Sequence, residues 1–103
     1  MSQRRYWLDF QEGVKAAVDA LPGHVRGRIK RQIADLRDNP RPANAKRLRS
    51  DLASCYAITM GRWRIVFEPI DDEEAIILHK VGEKHGPEFF RSIYPRRRSN
   101  TNP

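Results

Sequence analysis

Gly61-Arg62-Trp63-Arg64-Ile65-Val66-Phe67-Glu68 alternates large apolar side chains with charged ones at a period of two. This is the pattern of a half-buried β-strand, because successive side chains on a strand point to opposite faces. Trp63, Ile65 and Phe67 are expected to enter a core, while Arg62, Arg64, Val66 and Glu68 line the other surface. Two arginines then share a face. Guanidinium forks fixed on a rigid strand suit bidentate capture of a phosphate. They are equally well described as solvated charges on an open sheet face.

The strands on either side follow from the same pattern. Upstream, Tyr56-Ala57-Ile58-Thr59-Met60 alternates too, and Gly61 permits a tight turn into the arginine strand. Downstream, Ile70-Asp71-Asp72-Glu73-Glu74 reads as a second turn, leading into the apolar strand Ala75-Ile76-Ile77-Leu78-His79-Lys80-Val81. These three strands form a meander. Near the N-terminus, Tyr6, Leu8 and Phe10 alternate over Arg5–Phe10 as a further short strand. Asp9 and Glu12 have the spacing of a capping box, and a helix follows with Phe10, Val14, Ala17, Val18 and Leu21 on one stripe. Leu21-Pro22-Gly23 ends it. A second helix from near His24 carries Val25, Ile29, Ile33 and Leu36 on its buried stripe and stops at Asn39-Pro40. Its basic residues mark either a solvated face or a surface for rRNA.

The order strand, helix, helix, strand, strand, strand predicts an α+β domain with a helical hairpin packed on a mainly antiparallel four-stranded sheet. Between helix and meander, the segment 41–51 reads as a polar basic loop anchored by Leu48. After the last strand, Gly82–Tyr94 holds a glycine hinge and then Phe89, Phe90, Ile93 and Tyr94, read as aromatic plugs packing on the core, with base stacking by Phe89 and Phe90 as the alternative. The domain is expected to span 1–94. Residues 95–103 read as a disordered basic tail whose removal leaves the fold intact.

Composition narrows the function classes. A chain of 103 residues is one domain, and 39% apolar against 32% charged residues makes its core thin. A net charge of +7 points to a polyanion or an acidic protein partner. No apolar run approaches a membrane span. No secretion signal precedes the first strand, so a cytoplasmic protein without membrane association is expected. Cys55 is the only cysteine. With no repeated Cys/His spacing, the reading is a half-buried residue that is no nucleophile, with no metal site and no cofactor.

The residues resemble the RelE/ParE superfamily of toxins from type II toxin–antitoxin systems, over about nine-tenths of the chain. The likeness is carried by Tyr6-Trp7-Leu8-Asp9-Phe10, Asn39-Pro40, Ala45-Lys46-Arg47-Leu48-Arg49 ahead of Cys55-Tyr56, the arginine strand, and Val81-Gly82-Glu83-Lys84-His85. Resemblance to the RelE branch implies a ribosome-dependent mRNA endoribonuclease that inhibits translation and is held inactive by a cognate antitoxin, meeting DNA only through the antitoxin complex. The reaction implied is attack of a ribose 2′-OH on the adjacent phosphorus without a metal, leaving a cyclic phosphate. It needs a proton acceptor, cations for the phosphorane and a proton donor for the leaving oxygen.

By that resemblance Arg64 is the phosphate-stabilising strand arginine, and Lys84 stands where the family carries a second arginine. The chain also departs from the pattern. Ala57 and Thr59 occupy positions where RelE members place a pair of lysines, and Phe90 stands in place of a tyrosine. Neither alanine nor phenylalanine can move a proton. His85, beside Lys84, is the candidate for that role, since neutral imidazole serves as base or acid near physiological pH. The candidate catalytic set is therefore Arg64, Lys84 and His85. Arg62, Lys46, Arg47, Arg49 and Lys80 are candidates for gripping RNA phosphates, and the loop lysine and arginines are equally a seat for an acidic antitoxin helix. His79 reads as structural, and Tyr94 replaces the tyrosine only if the terminal segment folds back. The departures keep two other functions open: a ParE-like gyrase poison without chemistry of its own, and a degenerate toxin that only binds antitoxin.

Overall fold

The computed structural model describes residues 5–96, in the order β1 (Trp7–Phe10), α1 (Val14–Asp19), α2 (Gly23–Asp35), β2 (Ala45–Arg47), β3 (Tyr56–Met60), β4 (Trp63–Ile70) and β5 (Ala75–Glu83). The strands form one sheet in the order β1-β5-β4-β3-β2, with β1 parallel to β5 and every other pair antiparallel. The α+β architecture and the helical hairpin match the expectation. The sheet has five strands rather than four. The extra one, β2, lies in the segment read as loop, where Ala45, Lys46 and Arg47 pair with Ile58, Ala57 and Tyr56. Three residues are too short for an alternating pattern to declare itself. Leu48 does anchor this segment, packing on the second apolar cluster described below.

The helices cover one face of the sheet. Val14, Val18 and Leu21 meet Val25, Ile29, Ile33 and Leu36 over Ile58, Ile65, Phe67, Ile76, Leu78 and Val81. Both apolar stripes are thereby buried at helical spacing. The start of α1 differs from the capping-box reading. Its N-cap is Gly13 at φ 86°, without a side-chain cap. β1 ends at Phe10 and the chain reverses within three residues, and that turn needs a left-handed residue that only glycine adopts without cost.

The opposite face is where the sequence reading needs correction. Alternation along β4 holds, yet Val66 and Glu68 are fully buried. The C-terminal segment, including the 3₁₀ helix Pro87–Phe90, covers this face and joins Cys55, Ala57, Val66, Phe89 and Ile93 into a second apolar cluster. A bulge adapts β5 to this double burial. Phe67 pairs with Leu78 and Val66 with Lys80, so His79 is the extra residue. Ile76 and Leu78 before the bulge, and Val81 after it, all pack towards the helices, which turns His79 and Lys80 towards the C-terminal segment.

Glu68 is the polar centre of that covered face. It accepts hydrogen bonds from Ser54 Oγ at 3.0 Å, from the Arg96 backbone N–H at 2.8 Å, and sits 2.9 Å from His79 Nε2. His79 is thus structural, as expected. The Arg96 side chain also pairs with Glu73 and, at 3.6 Å, with Asp9, and Pro95 is buried. The folded body therefore runs past the expected boundary at residue 94 to Arg96 at least, because Glu68 draws the chain back onto the sheet. Residues 97–103, and with them most of the expected basic tail, lie outside the described residues. A chain ending at Tyr94 is expected to be about 1–3 kcal/mol less stable than one ending at Arg96, since it leaves a buried carboxylate short of a donor. Urea denaturation of the two truncations measures this, and equal midpoints would show that Arg96 is not part of the body.

Candidate active site

Arg64 sits at the middle of the site. It lies in β4 between Thr59 of β3 and Gly82 of β5, on the face away from the helices, where the C-terminal segment leaves the sheet only partly covered. Its Nη1 donates to the Gly61 and Trp63 carbonyls at 2.9 and 3.1 Å. Those bonds steady the side chain against the β3–β4 turn and leave Nε and Nη2 for a ligand. Gly82 contributes by having no side chain. Beside it lies only the Phe89 ring, 3.5 Å from where a Cβ would be.

Glu83, Lys84 and His85 follow at the end of the β4–β5 ladder, beyond the Arg64–Gly82 pair, and Glu83 is paired with Trp63 on the opposite face from Arg64. The Lys84 backbone N–H donates to the Arg62 carbonyl at 2.9 Å, extending the β4–β5 pairing by one residue, and its ammonium lies 6.0 Å from the centre of the Phe90 ring. Glu83 receives Arg62 Nη1 at 2.8 Å on one oxygen and lies 3.5 Å from His85 Nε2 with the other. His85 and Arg62 are both well exposed, at 75% and 71% of the side chain, while Glu83 is 27% exposed. The carboxylate thus lies near an imidazole that faces solvent. The structure thus brings Arg64, Lys84, His85 and Arg62 to one end of the β4–β5 ladder.

The remaining basic candidates are distributed differently. Lys46 stands opposite Ala57, two strands away from Arg64 and on the same face, and is exposed. Arg47 donates through Nε to the Ala53 carbonyl at 2.7 Å, which holds the loop around Ser50–Leu52 in place. Arg49 is exposed at the start of that turn. Lys80 is engaged inside the fold. It donates to the Phe89 carbonyl at 2.6 Å and to Ser92 Oγ at 3.2 Å, with its ammonium 4.2 Å from the centre of the Phe89 ring. Its contacts clamp the C-terminal segment. Tyr94 is exposed and lines a cavity of about 470 Å³ with Gln11, Gly13, His79 and Ser92. Cys55 is buried, and that burial, reinforced by the Glu68 charge, pushes its thiol up to about 12. It is no nucleophile at neutral pH.

No family model matches the chain. Individual proteins do. The chain is 27% identical over 93 residues to the mRNA interferase toxin RelE of Escherichia coli, covering 88% of this chain and 96% of that protein, and equally so to mRNA interferase RelE of Shigella flexneri. A substituted E. coli RelE in the free state superposes with a TM-score of 0.71 at 27% identity, covering 86% of this chain and 94% of the other. The chain is similar to RelE toxins in both sequence and fold. In the intact E. coli RelBE toxin–antitoxin complex the match has a TM-score of 0.64 at 28% identity, over 79% of this chain and 99% of that one. The Mycobacterium tuberculosis toxin–antitoxin complex RelBE2 shares the fold, with a TM-score of 0.67 at 19% identity over 82% of this chain and 98% of that one.

Where this chain departs from the RelE pattern, the geometry says how. Ala57 is buried within the second apolar cluster, so that position serves packing here. Thr59 is exposed next to Arg64. Phe90 lies edge-on to Phe89, 5.4 Å between ring centres, and beside the Lys84 ammonium. Sequence reasoning missed Glu83, whose carboxylate joins Arg62 to His85. Its position two residues before His85 was visible, but pairing with Arg62 depends on the β4–β5 register, which sequence spacing does not supply.

Proposed function

We propose that the chain is the toxin of a toxin–antitoxin pair and an mRNA interferase, cutting mRNA on the ribosome in the cytoplasm. The observation that supports this most is identity along nearly the whole length of a protein named for that activity. It is supported further by a strand arginine and a lysine on one sheet face. Among the described residues no helix is long and apolar enough to cross a membrane.

In this reading the 2′-oxygen attacks the adjacent phosphorus without a metal. Arg64 holds the phosphate through its free edge and binds the phosphorane more tightly than the ground state, because negative charge builds there. Lys84 supplies a second positive charge. His85, near Glu83, takes the 2′ proton. Lys46 and Arg49, exposed near that face, hold flanking phosphates. A cognate antitoxin neutralises part of the +7 surface, as RelB accompanies RelE in the solved complexes. A segment that folds on binding can wrap such a surface.

A brief pulse of expression followed by primer extension on a translated mRNA tests the proposal, with plasmid topology read in the same cells. Codon-phased cuts are expected with supercoiling unchanged. Broken or relaxed DNA without such cuts would point instead to a gyrase poison, and neither effect to a chain that only binds antitoxin.

A further inference from the structure

Cys55 stands directly before β3, Glu68 in the second half of β4, and His79 at the bulge of β5. Their Sγ, carboxylate oxygen and ring nitrogen all lie within 4.8 Å of one another. This juxtaposition is a product of the fold. Thirteen and eleven residues separate the three in sequence, and the β5 bulge is what swings the imidazole onto the same face as the carboxylate.

We propose that Cys55, Glu68 and His79 form a binding site for a single borderline-soft divalent metal ion, Zn²⁺ by its ligand chemistry. A thiolate, an imidazole and a carboxylate match the donors this ion prefers. With bond lengths of about 2.0–2.3 Å, tetrahedral ligands stand roughly 3.3–3.6 Å apart, so no pair needs to close by more than about 1.5 Å. The site carries its own charge balance, because thiolate and carboxylate together neutralise a dication. Its surroundings are apolar: Val66, Phe89 and Ile93 pack around Cys55, which strengthens coordination by excluding water. Ser54 Oγ holds the carboxylate by Oε2, and the Arg96 backbone N–H donates to Oε1, the oxygen that also faces His79, the kind of outer contact that orients a metal-bound carboxylate.

In the metal-free chain the hydrogen bond between His79 Nε2 and Glu68 occupies the position of the ion. On binding, the imidazole proton moves to Nδ1 and the Cys55 thiol proton goes to solvent, leaving both atoms as ligands. The ion enters through the cavity beside α1, whose wall includes His79, Lys80 and Tyr94. Three ligands leave a fourth position for water or a fourth donor. The bound ion ties β3, β4 and β5 together under the C-terminal segment and does not involve Arg64.

Cobalt(II) absorption of the purified full chain tests this, since tetrahedral Co²⁺ reports visible d–d bands and a thiolate ligand reports a near-ultraviolet charge-transfer band. Because Cys55 is the only cysteine, that band can arise nowhere else in the monomer. The expected result is saturation at one Co²⁺ per chain, displacement by Zn²⁺, and retention in His24→Ala. Cys55→Ser removes the band and weakens Zn²⁺ binding on the order of 100-fold or more. Zn²⁺ at 100-fold above its dissociation constant raises the melting temperature by about 10–20 °C. Absence of the charge-transfer band in the folded parent under excess Co²⁺ overturns the proposal, whatever the variants do. So does Zn²⁺ binding that Cys55→Ser leaves unchanged.

Discussion

Arg64→Ala is expected to lose two to three orders of magnitude in mRNA cleavage while folding and melting like the parent. Removing one preorganised donor from a developing oxyanion typically costs about 3 kcal/mol in the transition state. The fold does not depend on this side chain, whose bonds go to the carbonyls of Gly61 in the turn and Trp63 at the start of β4. Arg64→Lys recovers only a small part, because an ammonium replaces the planar fork. Arg62→Ala is milder, since Arg62 is more exposed and reaches the site only through Glu83. Cleavage by purified variants, beside their melting curves, separates these outcomes. A fully active Arg64→Ala would make the strand arginine a solvated charge.

Glu68→Ala has the opposite profile, with its effect on stability. The carboxylate is fully buried and serves Ser54, His79 and the Arg96 backbone together. Removing it takes their shared acceptor from three part-buried donors. Each buried unpaired group costs about 1–3 kcal/mol, and a loss of about 3–5 kcal/mol is expected, comparable with breaking a buried pair. Glu68→Gln is milder because one acceptor oxygen remains. Urea denaturation of both variants provides the check, and a Glu68→Ala loss below about 1 kcal/mol would mean that the network carries little of the stability.

These two residues also show what the sequence made legible. The arginine strand displayed its period, and the helices their stripes, because each buries one face against the same core. The sheet's second face was misread as open because Glu68 looks like a surface residue in sequence. Only its meeting with Ser54, His79 and Arg96 makes burial affordable, and those partners come from three separate stretches of chain. The apolar Val66 on that face, with Phe89 and Ile93 downstream, was the available signal that something covers it. The direction of His79 depended on a one-residue bulge, which a periodicity of two cannot encode. The candidate site was legible as residue types, Arg64 and Lys84 by resemblance and His85 by its chemistry. The link from Arg62 through Glu83 to His85 required the register.

If this sheet face cuts RNA by attack of a 2′-oxygen, the ends of the products carry the signature of that chemistry. Purified chain is incubated with ribosomes stalled on a defined mRNA, with Arg64→Ala in parallel, and the upstream fragment is examined by its response to phosphatase before and after opening of a cyclic phosphate. Codon-phased upstream fragments ending in a 2′,3′-cyclic phosphate are expected with the parent and almost none with Arg64→Ala. Fragments ending in a free 3′-hydroxyl, or equal cleavage by the two proteins, would contradict that reading of the sheet face.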